Sequence, residues 1–451
     1  METRTKTKLQ FHLVSLFAFF CGIFLLAGTA GAANVIKIGA SGPMKFPAGD
    51  HIYVGAQMAA DEINAKGGVK VGGKSYKIEV VRADTNEFLS IPDAVSTFER
   101  LITVDKVNFI VGGGRSEASL AQQEVMAEHK IIFMHIGGGS NVLTEQVGKN
   151  YDKYKYFFRT TTPHVLSQLG SLTATIDMVG NKIRKDLGVK TPKVAILFEK
   201  IVSTDAMIPY CQMILPKLGM EIVGIWRPSA NANDLSAELS AIKSSGAHII
   251  YTYFTGPVGN IFGKQWGELE IPAVPVGVNV ESQSVRYWNQ TGGKCEYEVI
   301  LNAVARASIS PHTVSTVDKF IKIKGESPVY TGMGAYDGVY ILMQAVERAQ
   351  SLDSDKVVAE LEKTDYRGVS GRNVFYPRGD KRPHDVRYGA GYLTVFGQQW
   401  IKGDLVLIWP DGNDVNPVVG AGAGWKGFKY DNTVEVKLPP VMVKHWRGAK
   451  K

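Results

Sequence analysis

The stretch from Val107 to Ser140 reads VNFIVGGGRSEASLAQQEVMAEHKIIFMHIGGGS and constrains the fold more tightly than any other part of the chain. The apolar run Val107 to Val111 halts at three glycines. Arg115 and Ser116 then open a segment of helical character, and a second apolar run, Ile131 to Ile136, halts at three more glycines. Short apolar runs bounded by glycine, with a helix-length segment between them, spell strand, turn, helix, strand, turn, the repeat of a parallel α/β sheet. In such sheets ligands bind beyond the carboxyl ends of the strands, where helix N-termini present N–H groups without intrahelical partners. Ser116 and Ser140 both stand at such ends. Glycine lets a small anion approach the backbone, and each serine adds a hydroxyl donor. The stretch therefore reads as half of a cleft for a carboxylate or a similar small polar group.

The rest of the chain repeats the pattern. Val35 to Ala40 (VIKIGA) is a buried-strand run that turns at Ser41-Gly42-Pro43 into a loop ending near Asp50. Val54 to Ala65 has helical spacing, with Asp61 and Glu62 on its polar side, and Gly67-Gly68 stops it. Lys77 to Val81 is a strand, Ala94 to Val104 a helix, and Tyr154 to Arg159 a fifth strand. The alternation then restarts with helix His164 to Leu187, strand Lys193 to Phe198, helix Ala206 to Leu218 and strand Glu221 to Trp226. Helix Leu235 to Ser245, strand His248 to Phe254, helix Gly259 to Leu269 and strand Ala273 to Val278 complete the second set. Each half is thus expected to be a parallel sheet flanked by helices. Helices Tyr336 to Ala349 and Ser354 to Lys363 follow, and from Arg372 the texture turns to glycine, proline and aromatics, with β-like pieces at Gly391 to Phe396 and Leu405 to Ile408.

A chain of 451 residues with 45% hydrophobic content can bury more than one core. Its first residues are basic, the run Leu13 to Ala27 is apolar, and small residues end at Ala30-Gly31-Ala32, which together read as a secretory signal peptide over residues 1–32. An uncleaved anchor is the alternative, although the run is short for a bilayer. The chain carries a net +8, and since residues 1–32 hold three basic residues and one acidic, +6 remains after cleavage. That excess is spread along the chain and forms no nucleic-acid stripe. Cys211 and Cys295 remain, and export permits a disulfide between them without requiring one. No His, Cys, Asp or Glu spacing suits a metal, and no phosphate-binding glycine motif is complete, so no cofactor is expected.

The order and spacing of several motifs resemble the leucine/isoleucine/valine-binding type of periplasmic solute-binding proteins, which deliver ligands to ABC importers. The motifs are Ile38-Gly-Ala-Ser-Gly-Pro43, the helix Gly55 to Gly68, the turn Gly112 to Ser116, Phe158-Arg-Thr160 and Tyr336-Asp-Gly338, and the ending Pro439 to Trp446 is similar to tails of some of these proteins. The resemblance implies a two-lobed type I binding-protein fold with three hinge crossovers. Lobe 1 would comprise residues 33–158 and 305–388, and lobe 2 residues 159–304 and 389–451. It implies a monomer in the periplasm or outside the cell that binds a small carboxylate, has a membrane permease as partner and performs no catalysis. For the ligand carboxylate it implies Ser116, Gly138 and Ser140. Phe46 would lie on the covering loop beside Lys45, Phe254 would be the aromatic from lobe 2, and Tyr336 a further aromatic near the hinge. The position that in the family holds the ligand ammonium with an acid is Asn279 here. Glu281 and Asp337 are possible substitutes, and an amide there weakens the case for a plain α-amino acid. The ligand class stays open between a branched-chain or aromatic amino acid and a related carboxylate or amide.

Each candidate has a plainer reading as well. Serine, as at Ser116, caps helices well, Ser140 suits a glycine-rich turn, Phe254 and Tyr336 pack in cores, and Arg115, a candidate to reach an anion, is otherwise a solvated charge. Two other functions share the pattern. Gly114-Arg-Ser-Glu-Ala118 approaches the nucleophile elbow of serine hydrolases but lacks its final glycine. The same two-lobed module also serves as the sensing domain of receptors.

Overall fold

The computed structural model describes residues 34–161, 164–413 and 427–448. The expected signal peptide, Cys21 and the alternative anchor therefore lie outside the described residues, as do residues 414–426 of the tail. The first sheet contains β1 (Val35–Gly42), β2 (Val69–Val71), β3 (Lys74–Asp84), β4 (Phe109–Gly112), β5 (Ile132–His135) and β6 (Phe157–Arg159). Its order is β2-β3-β1-β4-β5-β6, parallel throughout except for β2, which is antiparallel to β3. The second sheet contains β7 (Lys193–Phe198), β8 (Glu221–Trp226), β9 (Ile249–Phe254), β10 (Val274–Asn279) and β11 (Val299–Asn302), parallel in the order β8-β7-β9-β10-β11. β12 (Asp365–Gly368) and β13 (Gly371–Val374) form a separate hairpin. β14 (Phe396–Ile401) and β15 (Asp404–Trp409) extend the second sheet beyond β11.

Here the structure departs from two parallel sheets. β14 runs antiparallel to β11 and β15 antiparallel to β14. The cause is local: Lys402 (φ 53°) and Gly403 (φ 88°) are both left-handed and join the two strands in a two-residue turn, which reverses the chain. The parallel strands behave as expected of a sheet covered on both sides, since β4, β5, β6, β9, β10 and β11 are buried along their whole lengths.

Several elements start earlier than local pattern suggests. The helix expected from Val54 begins at Pro47, whose fixed φ suits a first helical turn. The helix expected from Tyr336 begins at Tyr330, its start concealed by Gly332 and Gly334. These two helices pack against each other, and at their contact a Cβ on Gly55 would collide with the Gly332 carbonyl. The helix Thr313–Lys324 and β11 were not anticipated, and Tyr151–Tyr154 is a helical turn, so β6 is shorter than its apolar run.

One core gathers side chains of β1 to β6 together with residues between Val304 and Phe375. A second gathers the helix Val165–Leu187, the second sheet and residues between Val395 and Met442. The chain thus passes from one sheet's territory to the other after β6, after β11 and after β13. Cys211 and Cys295 are both buried and both free thiols, so they form no disulfide.

Candidate functional site

Both sheets share one plan. In each, the second parallel strand lies beside the first, and the chain then crosses to the first strand's other side for the third, leaving a crevice at the reversal. The carboxyl ends of the two sheets face a common cavity with an empty volume of about 590 Å³, part of it open to solvent. From the first sheet it receives Gly114 to Glu117 after β4 and Gly137 to Gly139 after β5. From the second come Tyr253 and Thr255 at the end of β9, Val278 and Val280 at the end of β10, and Leu301 and Ala303 at the end of β11.

The two glycine turns are built against each other. Gly113 has φ 80°, a Cβ there would stand 2.6 Å from His135 Nδ1, and a Cβ on Gly137 would stand 2.5 Å from the Gly113 carbonyl oxygen. Side chains would prise the turns apart, so these glycines serve backbone-on-backbone packing as well as an open approach.

Beneath the second turn lies the buried guanidinium of Arg159, held by Asp385 through Nε (2.9 Å) and Nη2 (2.7 Å). Its Nη1 donates to the carbonyls of Gly138 (3.1 Å) and Ser140 (2.8 Å). Because a trans peptide points its C=O and N–H in opposite directions, the Gly139 N–H is turned away from Arg159, and no described residue accepts from it. The Gly138 N–H, by contrast, donates to His135 Nε2 (2.8 Å), and the Gly137 carbonyl accepts from Tyr330 Oη (3.1 Å). Burial, with Arg159 adding to it, pushes His135 down to about 3, so its ring is a neutral acceptor.

Ser116 is the first residue of the helix Ser116–His129, whose opening N–H groups have no intrahelical acceptor. Its Oγ accepts from the Ser140 N–H (3.1 Å), which leaves the hydroxyl hydrogen available for an acceptor in the cavity. Arg115 lines the same wall, with Nε on Glu117 (3.2 Å) and Nη1 on the Phe88 carbonyl (3.0 Å). Glu117 in turn accepts the Val202 N–H from the second half of the chain (2.9 Å). Behind the first turn Glu87 accepts the Gly114 N–H (2.9 Å). Burial raises its carboxyl to about 7 against the pull of its hydrogen bonds, so the negative charge behind the wall is only partial near neutral pH and grows above it.

Of the residues proposed from sequence, Ser116, Gly138 and Arg115 line the cavity, and the others do not. Gly138 lines it with its N–H already engaged, so the turn's available donor is Gly139, one residue on. Ser140 gives its N–H to Ser116, while its Oγ accepts from Val142 N–H (3.3 Å). Phe46 packs edge-on against Phe88 (5.1 Å between centroids), beside the cavity without entering it. Phe254 is fully buried against Phe262 on the far side of its strand, and Tyr253 faces the cavity instead. Asn279 likewise points away: its Nδ2 donates to the Gly259 carbonyl, Tyr287 Oη and Glu298, and Val278 and Val280 on either side take the cavity. Adjacent residues of a strand point to opposite faces, so a shift of one position exchanges wall for core. Tyr336 belongs to the first core and donates to Glu62 (2.7 Å), whereas Tyr330, at the start of the same helix, lines the cavity. The substitutes for Asn279 fail too. Asp337 accepts the N–H groups of Val369 and Ser370, and Glu281 accepts from Asn260.

Sequence reasoning missed Gly139, Tyr253, Thr255, Gln283 and Tyr330. The signal nearest to hand was Tyr253, which neighbours a chosen residue.

Away from the cavity Arg286, from the second lobe, joins a cluster of charged and polar residues of the first. Arg286 Nη2 reaches Asp50 (2.9 Å) and Glu326 (2.7 Å), and Lys324 Nζ reaches Asp50 (2.5 Å). His51, kept neutral by burial, accepts the Val329 N–H at Nδ1 (3.0 Å) and so carries its proton on Nε2, toward Glu326 (3.2 Å).

A model of the periplasmic binding protein family matches residues 36–389. The Leu/Ile/Val-binding protein homolog 7 of Brucella melitensis is 24% identical over 405 residues, spanning 87% of this chain and 96% of its own. The branched-chain amino acid transporter substrate binding protein of Streptococcus pneumoniae, solved with isoleucine, superposes with a TM-score of 0.66 at 22% identity, covering 82% of this chain and 98% of its own. An ABC-transporter solute binding protein of Rhodopseudomonas palustris, solved with p-hydroxybenzoic acid, gives 0.65 at 19% identity over 83% and 95%. The two structures establish the two-lobed fold.

Proposed function

The chain belongs to the periplasmic binding protein family, and from that premise we propose that it is the exported solute-binding component of an ABC importer, closing its lobes on a small carboxylate and handing it to a membrane permease. One observation carries the reading. The Ser116 hydroxyl, the Gly139 N–H and the start of the helix Ser116–His129 share one wall of a cavity whose other wall, with Val278, Val280, Leu301 and Ala303, is largely apolar. A carboxylate suits the first wall and an apolar body the second. Isoleucine and p-hydroxybenzoic acid, held by the two solved proteins, both have that form.

The lobes in this reading are residues 33–158 with 305–388, and residues 159–304 with 389–451, and the protein is a monomer freed by cleavage after residue 32. Affinity arises from closure, because a ligand that touches both lobes favours the closed state over the open one. The site binds without catalysing. Ser116 Oγ is an acceptor for the Ser140 N–H, and the nearby His135 spends Nε2 on Gly138.

Native mass spectrometry of protein purified without unfolding tests the reading. The expected result is a bound small carboxylate that is lost on opening the lobes in mild denaturant. An adduct without a carboxyl group would overturn it, as would scattering curves that stay unchanged by a tightly held ligand.

A further inference from the structure

The second lobe offers the ligand an acceptor and no countercharge, and this narrows the ligand class within the carboxylate reading above. Gln283 follows β10, lines the cavity and is 2% exposed. Its Nε2 donates to the Leu301 carbonyl (2.9 Å), and since a carbonyl can only accept, the orientation of the amide is fixed. Its Oε1 is therefore the free end, and it accepts from no described residue. A buried amide oxygen without a donor is costly, so a site that keeps one is complete only when something donates to it.

The charge of that donor can be read from its surroundings. Among the described residues lining the cavity Glu117 alone is acidic, and both its oxygens are engaged, one by Arg115 and the other by the Val202 N–H. Glu199 spends an oxygen on the N–H and hydroxyl of Thr255 (2.7 and 3.1 Å), and burial raises its carboxyl above the usual range. Glu281, two residues from Gln283, points instead to Asn260 and is also raised by burial. An ammonium brought against this wall would be buried beside an amide oxygen and valine side chains, whereas an O–H or amide N–H would give up only a hydrogen bond to water and regain one.

We infer that the ligand is a carboxylate without a free amine that carries, away from its carboxyl group, an uncharged hydrogen-bond donor such as a hydroxyl, received by Gln283 Oε1. Ser116 and Gly139 hold one end from the first lobe and Gln283 holds the other from the second, so the molecule bridges the cleft. Gln283 is the residue that selects against α-amino acids.

Calorimetry with 4-hydroxybenzoate, benzoate and isoleucine tests this on the wild type and two variants. Wild type is expected to bind 4-hydroxybenzoate roughly ten-fold tighter than benzoate, and isoleucine more weakly than either. Gln283→Met keeps the side-chain volume and should bring the hydroxyl ratio close to one with benzoate affinity retained. Gln283→Glu keeps an acceptor, so the ratio should persist while isoleucine gains. A wild-type ratio near one, or isoleucine as the tightest ligand, overturns the inference and leaves the carboxylate reading standing. Binding of none of the three overturns the inference, and the co-purified adduct then decides the carboxylate reading. Should Gln283→Met not fold, the wild-type ratio and the isoleucine gain in Gln283→Glu decide the matter.

Discussion

The two lobes carry parallel strands in the same order, yet their rims have little in common. The first ends in glycine turns whose peptides are locked by Arg159, His135 and Tyr330, which leaves the Gly139 N–H as the turn's open donor. The second presents valine, leucine and alanine side chains with a few hydroxyls and the amides of Gln168 and Gln283. Topology fixes where a ligand can sit, and the rim residues decide what it is; one plan used twice has yielded a polar grip and an apolar wall.

The largest test of that contrast is Arg159→Ala. Removing the cation leaves Asp385 buried without its partner and frees the turn's carbonyls, so folding stability should fall by about 3 to 5 kcal/mol, read from denaturant unfolding. On the apolar side, Val280→Ala should cost only about 1.5 kcal/mol for the lost methyl groups. Equal losses would show that the first rim is no more built than the second.

Ser116→Ala sharpens the comparison at the level of binding. A lost donor to a buried carboxylate should weaken 4-hydroxybenzoate by about 1 to 2 kcal/mol with the unfolding midpoint little changed, as calorimetry would show. Unchanged affinity would take Ser116 out of the site.

The contact between the lobes comes next. Arg286→Ala removes the ties to Asp50 and Glu326, and as a partly exposed pair it should shift closure by less than about 1 kcal/mol. Small-angle scattering of the unliganded protein would register a larger radius of gyration. An identical curve would mean the tie does not hold the lobes.

The smallest effect separates two buried acids. Glu87 in the first lobe and Glu298 in the second are both raised to about 7 by burial, from an ordinary value of 4.5. A raised carboxyl favours its protonated form in the folded protein. Each thus contributes stability that is present below about 4.5 and lost as pH climbs through about 7. Only Glu87 stands behind the anion wall, so carboxylate affinity should decline less than ten-fold between pH 6 and 8, with Glu87→Gln flattening the profile and Glu298→Gln leaving it sloped. A slope that follows Glu298 would mean the second lobe also senses the ligand's charge.

The stretch Val107 to Ser140 was legible because each of its elements is set locally: β-prone runs end at glycine, and Ser116 begins a helix. The misses share a cause. In β9 and β10 every side chain is buried, so alternation leaves no mark in the sequence, and choosing Phe254 over Tyr253 or Asn279 over Val278 depends on which face the partner strands turn to the cavity. Gly138 and Gly139 differ only in which way a peptide plane points, which is decided by Arg159 from another strand and by Asp385 far along the chain. Tyr330 lay in a glycine-interrupted segment whose helical character comes from packing on Pro47–Ala65 rather than from its own residues.

The two unpaired thiols have a practical consequence. Cys211 is pushed up to about 12 by burial and Cys295 is raised further, so neither is a thiolate near neutral pH, and among the described residues there is no other cysteine. A single cysteine engineered at the mouth of the cleft would consequently be the one reactive handle in this part of the molecule. A fluorophore attached there would report each closing event, making the protein an optical sensor for its own cargo.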